Sequence, residues 1–422
     1  MPRRNQVVDI IVKSSRTSLS HEDCQARIGS TTKYDSVIIR FSGEIGIKSE
    51  WTRRTYERLL LKNIERTLVH DGLGLEQIAH TRGRIYIKAR SPEQIASRLT
   101  RLFGISSVSP AIQTLSAMDE IVETALKVGK GEIANGSTFA VRCHRVGTHT
   151  YSSMDVCKEV GKQILTNFKD RNLRVDLTNP QFTMNVESRD EEAYVYTVTL
   201  HGAGGFPVGS QPKVVCLLSG GIDSPVASWL VMKRGCPITP IYLDNAPLTD
   251  ETATVKAVEI ARKLFEWSIG YSTRMYIVPH GKNLETFLEK SPRRLTCLLC
   301  KRMMYRIAER IADIEKAEGI VTGEAIGEQA SQTITNLRVL DEATVKYPVH
   351  RPLLGFDKTE TEQLARKIGT FELSIRKAKG CSGAPSQPAT KARLEIVKEA
   401  EAKLDVEGMA EESVEAAKIV TV

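Results

Sequence analysis

The sequence predicts an α/β protein in which a doubly wound parallel sheet follows two smaller α+β units. Three observations carry this. From Lys213 onward, apolar runs of strand length alternate with stretches of helical spacing, as in a parallel sheet with helices on both faces. The first run, Val214-Val215-Cys216-Leu217-Leu218, is apolar throughout, as a strand buried on both sides must be. Before Lys213 the elements fall into two short blocks of strands and helices, each the size of a small α+β unit.

Taken in order, residues 1–33 are Ser/Thr-rich, basic and aperiodic, and read as an N-terminal extension. Ser36–Phe41 is a strand. Glu50 to His70 has Tyr56, Leu59, Leu60, Ile64 and Leu68 at helical spacing and stops at Asp71-Gly72. Arg84–Lys88 alternates like a strand, Pro92–Phe103 is a short amphipathic helix opened by Ser91, and Ile105–Ala111 is a last strand. This order suggests an α+β unit of ferredoxin-like type over 34–111.

A second unit, 112–203, begins with a helix over Met118–Val128 and a strand over Thr138–Arg145 that ends basic. Ser152–Phe168 is a helix with Val156, Val160, Ile164 and Leu165 on one face. Val175–Leu177, Phe182–Val186 and Ala193–Leu200 are strands, with Thr178-Asn179-Pro180 as a turn. This order of elements, with Asp176-Leu177-Thr178-Asn179-Pro180, resembles the THUMP domain of tRNA-modifying enzymes. Arg142, His144, Arg145 and His149 are candidate phosphate contacts; a solvated basic rim over a packed core is the plainer reading. Residues 204–212, within Gly202-Ala203-Gly204-Gly205-Phe206-Pro207 and beyond, read as a linker by composition.

The third unit, 213–396, continues with strands at Ile238–Leu243, Met275–Pro279 and Gly319–Thr322. Its helices fall at Thr252–Phe265, Leu299–Ala317 and Thr359–Ile368. The tail, 397–422, is rich in Ala, Glu and Lys and reads as a solvated helix. Ligands of such sheets sit beyond the carboxyl ends of the strands, so the segments of interest are Ser219–Ser224, Asp244–Leu248, Gly323–Thr333 and Phe356-Asp357-Lys358.

Ser219-Gly220-Gly221-Ile222-Asp223-Ser224 lies between the first strand and a helix. Ser224-Pro225 suits a helix start, the hydroxyl capping free amides. Two glycines and a helix N-terminus admit a phosphate. The stretch is neither a Walker A loop nor a dinucleotide fingerprint. It resembles the pyrophosphatase loop (PP-loop) of enzymes that split ATP into AMP and pyrophosphate, with Asp223 able to bring in Mg²⁺.

Three further stretches make the resemblance specific. These are Gly323-Glu324-Ala325-Ile326-Gly327-Glu328-Gln329-Ala330-Ser331-Gln332-Thr333, Arg351-Pro352-Leu353-Leu354-Gly355-Phe356-Asp357-Lys358, and Ile39-Arg40-Phe41-Ser42-Gly43-Glu44-Ile45-Gly46-Ile47-Lys48. With the PP-loop they resemble the tRNA 4-thiouridine synthetases, over about residues 34–396. That family orders its domains ferredoxin-like, THUMP, PP-loop. The resemblance implies ATP-dependent sulfur transfer: uridine O4 at tRNA position 8 attacks the α-phosphorus, pyrophosphate leaves, and a sulfur nucleophile displaces AMP. It also implies sulfur supply for the thiazole of thiamine in some organisms. By position, Leu217, Leu218, Ser219, Gly220, Gly221, Ser224, Tyr242, Leu243, Lys301, Gly323 and Gln332 match nucleotide contacts. Asp223 matches the PP-loop acid. Lys358 matches a lysine needed for adenylation, where a fixed ammonium stabilises charge on the α-phosphate.

Cys297-Leu298-Leu299-Cys300 places two sulfurs at i and i+3 of a helix start, and Cys381 lies in the loop Gly380-Cys381-Ser382-Gly383-Ala384-Pro385. Cys381 matches the family's sulfur-handling cysteine. The Cys-x-x-Cys before Lys301-Arg302-Met303-Met304 resembles the archaeal-type branch of that family, and this resemblance implies that the three cysteines can hold an iron–sulfur cluster with one iron open to hydrosulfide. A Zn²⁺ site and a redox or persulfide dithiol stay open as alternatives.

The 422 residues carry a net charge of +8, which suits a polyanionic partner such as tRNA. Eight scattered cysteines do not make a disulfide scaffold, and no apolar run is long enough to span a bilayer. The expectation is a cytoplasmic protein with tRNA and a sulfur donor, sulfide or a persulfide carrier, as partners; a homodimer is admitted. The rivals are a PP-loop ligase or amidotransferase of a small molecule, which leaves the basic N-terminal half unexplained, and a tRNA-binding protein with a decayed ATP site, against which the intact Ser219–Ser224 argues.

Overall fold

The computed structural model describes residues 33–81 and 83–422. Apart from Lys33, the N-terminal extension lies outside the described residues. The chain divides into two compact units, one formed by residues 110–200 with the segment before Ser36, the other by 36–109 and 201–422.

The larger unit opens on the strand Ser36–Phe41, whose neighbours in the sheet are Arg84–Ala89 and Ile105–Leu115. Leu75–Thr81, unmarked in the sequence because most of its side chains are polar and exposed, adds an edge strand antiparallel to Arg84–Ala89. Helices Glu50–His70 and Pro92–Leu99 complete the β-α-β-β-α-β order. Leu60, Ile64 and Leu68 of the long helix are fully buried, as their spacing predicts.

The stretch expected to be a linker is packed. Gly205 takes φ +73°, and a Cβ there would fall 2.1 Å from the Lys233 carbonyl. Phe206 and Val208 are buried, and the Val208 carbonyl accepts from Asn63 Nδ2 at 3.0 Å. Phe103 meets Trp229 at 5.4 Å and Trp267 at 5.7 Å between ring centroids, so the ferredoxin-like segment shares a core with the sheet that follows.

That sheet has six strands in the order Val349–His350, Ile320–Val321, Val214–Leu217, Ile238–Asp244, Arg274–Pro279 and Lys418–Thr421. The first five are parallel and the last is an antiparallel edge. Alternate side chains enter two layers. Val215, Leu217, Ile241 and Leu243 face helices Gly281–Lys290, Thr296–Glu315 and Leu394–Glu401. Val214, Cys216, Leu218 and Tyr242 face helices Asp223–Lys233, Glu251–Phe265 and Lys358–Ile368. The chain winds outward from Val214–Leu217 through Arg274–Pro279. It then returns to place Ile320–Val321 on the other side of the first strand, which opens a crevice between the two at their carboxyl ends.

The tail is part of this core rather than a solvated helix. Val397 and Ala410 are fully buried. Glu401, 7 % exposed, accepts from Arg302 at 2.8 Å and from Arg306 at 2.8 and 3.0 Å. Lys418–Thr421 pairs Arg274–Ile277 and blunts the sheet edge.

In the smaller unit, strand Thr138–Arg145 runs parallel to Phe182–Ser188 and to the short Arg174–Val175, and Phe182–Ser188 runs antiparallel to Glu192–Tyr196. Helices Met118–Glu132 and Ser153–Asn167 cover one face, burying Ile121, Val128, Val156, Val160 and Ile164 against Phe139, Val141, Met184 and Val186. The expected strand Val175–Leu177 stops at Val175, because Asp176 turns its carboxylate onto the amides of Thr178 and Asn179, each at 2.9 Å.

Candidate active site

The Ser219–Ile222 turn lies where the crevice opens. Ser224 does not cap the helix, which begins at Asp223. Its hydroxyl instead accepts from the Ser219 amide at 2.8 Å, while Ser219 Oγ accepts from the Gly221 amide at 3.2 Å, so the loop is curled on itself. The first-turn amides that follow have no intrahelical acceptor and point out of the helix end. Gly323, just past the fourth strand, lies against this turn: a Cβ there would fall 2.5 Å from the Ser224 nitrogen, so only glycine fits. Gly220 faces the Lys256 side chain, whose Nζ donates to the Arg376 carbonyl at 2.8 Å, and the Gly221 carbonyl accepts from Ser374 Oγ at 3.1 Å. Leu217, Leu218, Tyr242 and Leu243 are buried strand-end residues with side chains in the two core layers, so the surface they share with the crevice is mainly backbone.

Charges line the crevice in opposed pairs. Lys358, at the first turn of its helix, donates to Asp223 Oδ1 at 2.6 Å and lies 3.2 Å from the Glu328 carboxylate. Partial burial works against its charge, but these two acids hold its pKa above the ordinary lysine value. The helix is fixed by a capping box of Asp357 and Glu360. Deeper in, Glu324 is 5 % exposed and accepts from Tyr305 at 2.6 Å, Arg351 Nε at 2.9 Å, Lys301 at 3.0 Å and Thr322 at 3.1 Å. Burial opposes its ionisation, yet Lys301, Tyr305 and Arg351 keep its pKa below the ordinary glutamate value. Gln332 is buried, and its Oε1 has no hydrogen-bond partner among the described residues.

The structure brings the three cysteines into one neighbourhood. Cys297 and Cys300 occupy the first turn and a half of helix Thr296–Glu315, and the loop bearing Cys381 is fastened by the Ser382 amide donating to the Leu248 carbonyl at 3.2 Å. Burial, then the charges of Cys297 and Cys381, push the Cys300 thiol up to about 12. Cys297 is raised too, by burial and then by Cys381, while Lys301 pulls both thiols down. His280, fully buried, brings Nε2 to 3.3 Å from Cys300 Sγ, and burial lowers its pKa to about 4, so it stays neutral. Among the described residues no three His, Cys, Asp or Glu side chains close around a single metal ion.

In the smaller unit, Arg142 and His144 are exposed and project from the same face of strand Thr138–Arg145, two residues apart. Arg145 and His149 are committed elsewhere. Arg145 donates to the Gly147 carbonyl at 3.2 Å and lies 3.2 Å from His149 Nδ1, and His149 Nε2 reaches the Arg189 carbonyl at 2.8 Å. They hold a loop rather than standing open to solvent.

Comparison with known proteins places this geometry. Residues 209–406 match the family described as thiamine biosynthesis protein (ThiI), residues 116–198 a THUMP domain, and residues 36–109 the ThiI ferredoxin-like domain. A probable tRNA sulfurtransferase of Methanosarcina mazei is 39 % identical over 393 residues, covering 93 % of this chain and 96 % of that protein. The chain belongs to the tRNA sulfurtransferase family. A probable tRNA sulfurtransferase of Thermoanaerobacter sp. is 40 % identical over 376 residues, covering 88 % of this chain and 96 % of that protein. Among solved structures, a 4-thiouridine synthetase in complex with RNA and bound ATP superposes with a TM-score of 0.82 at 35 % identity, over 92 % of this chain and 99 % of that one.

For a tRNA sulfurtransferase, the residues the sequence left unmarked are mostly partners. Glu328 stands within the long polar loop, and only the fold shows that it shares Lys358 with Asp223. Tyr305, Arg351 and Glu324 are 19 to 46 positions apart, and His280 precedes Cys300 by 20; no local pattern joins them.

Proposed function

We infer that this chain activates a tRNA uridine with ATP at the crevice and replaces its O4 with sulfur, giving 4-thiouridine. The observation that supports this reading above others is the position of Lys301. It pairs with Glu324, next to the glycine that abuts the phosphate loop, and its charge acts on both Cys297 and Cys300. A nucleotide site and a thiol site therefore adjoin, as a reaction with one activation and one sulfur step requires.

The curled Ser219–Ser224 turn and the helix end behind it hold the phosphates. Leu217, Leu218, Tyr242 and Leu243 border the base, and Gln332 offers its free amide oxygen to the nucleotide. Asp223 and Glu328, both drawn to one ammonium, are the hard oxygen donors that fit Mg²⁺. As uridine O4 attacks, Lys358 offsets the charge that builds on the α-phosphate. Displacement of AMP by sulfur falls to the cysteine neighbourhood. Cys297, Cys300 and Cys381 would hold an iron–sulfur cluster, thiolates being its usual ligands. Such a cluster supplies an iron able to carry sulfur. Sulfur arrives as sulfide or from a persulfide carrier, and Arg142 and His144 bind tRNA phosphates.

Among the described residues no helix is long and apolar enough to cross a membrane, and seven cysteines there are free thiols. Both fit a reducing cytoplasm. The test is incubation with unmodified tRNA, Mg-ATP and sulfide under anaerobic conditions, then nucleoside analysis. Formation of 4-thiouridine with stoichiometric AMP is expected; AMP release independent of tRNA would point to a small-molecule ligase instead.

A further inference from the structure

The proposed reaction uses three cysteines, but it leaves a buried imidazole at 3.3 Å from one of them without a role. His280 sits at the end of strand Arg274–Pro279, with its amide donating to the Asp244 carbonyl at 2.7 Å. Its ring is fully buried, and its two nitrogens have different neighbours. Nε2 faces Cys300 Sγ; Nδ1 lies 3.2 Å from Asn283 Nδ2.

The tautomer follows from the next contacts out. Ser413 Oγ donates to the Met409 carbonyl at 2.8 Å, so toward Asn283 it can only accept, and it does so from Nδ2 at 2.8 Å. Asn283 therefore presents its NH₂ end to both Ser413 and His280. An amide NH₂ can only donate, so Nδ1 of His280 accepts and is bare. In a neutral imidazole the single proton is then on Nε2, which points at the sulfur. Asn283 and Ser413 are 5 % and 6 % exposed, so water does not compete with this chain of donors. It begins on helix Val406–Glu415, in the tail whose sequence suggested no function.

We propose that His280 is a positioning residue for sulfur transfer, its tautomer fixed through Asn283 and Ser413 so that Nε2–H donates to the Cys300 sulfur and holds that side chain in place. The proposal rests on the reading that Cys300 serves sulfur transfer. A permanent donor offsets charge on the sulfur when it is bound or transferring, and it keeps the side chain from swinging toward the apolar core.

The tautomer can be read directly in the full-length protein with ¹⁵N-labelled histidine, the His280 signal being the one lost in His280→Gln. A neutral ring protonated on Nε2 is expected, and Asn283→Asp should move the proton to Nδ1, because a carboxylate accepts where the amide donated. A ring protonated on Nδ1 in the unaltered protein, or one indifferent to Asn283→Asp, would overturn the proposal. In sulfur-transfer assays, His280→Leu should lower the rate about tenfold, the effect of losing one hydrogen bond to a charged acceptor. His280→Gln, which keeps an N–H near the Nε2 position, should restore most of it. Equal losses in both variants would reduce His280 to a packing residue. Should Cys300→Ser still transfer sulfur, the positioning role would fall with the role of Cys300, and the tautomer spectrum would be unaffected, so the two failures are distinguishable.

Discussion

The phosphate loop and the cysteine neighbourhood handle charge in opposite ways. Around the phosphate loop charge is abundant and matched: Lys358 lies between Asp223 and Glu328, and Glu324 takes four donors. Around the cysteines charge is suppressed: Cys300 is held protonated and its neighbour His280 neutral. The contrast fits the two steps assigned to them. Phosphoryl activation needs fixed charges ready before the substrate arrives. A thiol site is safer uncharged until its sulfur or metal partner supplies the reason to ionise.

If the two are separable, each can be disabled alone. The largest effect is expected from Cys297→Ser, Cys300→Ser or Cys381→Ser: 4-thiouridine should disappear while tRNA-dependent pyrophosphate release continues, measured on the same samples. Loss of both activities would break the separation. Next, Asp223→Ala should slow pyrophosphate release by about 10²–10³-fold, the scale of removing one preorganised electrostatic contact, with tRNA affinity near normal in a filter-binding assay. A variant that turns over ATP at the unaltered rate would sink the assignment of the phosphate loop.

A third change probes what seats the cysteine helix. Glu401→Gln leaves Arg302 buried without a counter-charge and Arg306 with only Glu407, 3.5 Å away, and should lower stability by about 3–5 kcal/mol, read as a shifted denaturant midpoint. The pH dependence has a definite sign. Burial opposes the Glu401 charge, but Arg302 and Arg306 outweigh it and depress the folded-state pKa below 4.5. Its stabilisation is therefore complete above that value and lost as pH falls through the depressed one; Glu401→Gln should flatten the acid limb of the stability curve. The smallest effect concerns tRNA. Arg142→Ala should reduce the slope of log affinity against log salt by about one, as for one phosphate contact. Arg145→Ala, removing a side chain occupied with Gly147 and His149, should change loop stability more than the salt slope.

Much of this was legible in the chain. The first parallel strand, its glycine turn and the carboxyl-end loops could be located because buried parallel strands are apolar at every position and phosphate loops need glycine. Lys358 and Cys381 come from resemblance to a family, whereas Cys297 and Cys300 stand out by their i, i+3 spacing. The tail was misread because Arg302, Arg306 and Glu401 look solvated when each is read alone; burial becomes acceptable only once they are paired, and sequence does not show pairing across 99 positions. Strand Val349–His350 has two residues and Lys418–Thr421 four, too short for periodicity to register. Ser224 looked like a cap because the sequence contains every element of one; that its hydroxyl turns back to Ser219 is a property of the folded loop.

The pairing of Arg302 with Glu401 also sets a timetable. On a ribosome adding about 5–20 residues per second, the carboxylate emerges about 5–20 s after the guanidiniums it will neutralise. During that interval the helix carrying Cys297 and Cys300 has its apolar face but not its anchor.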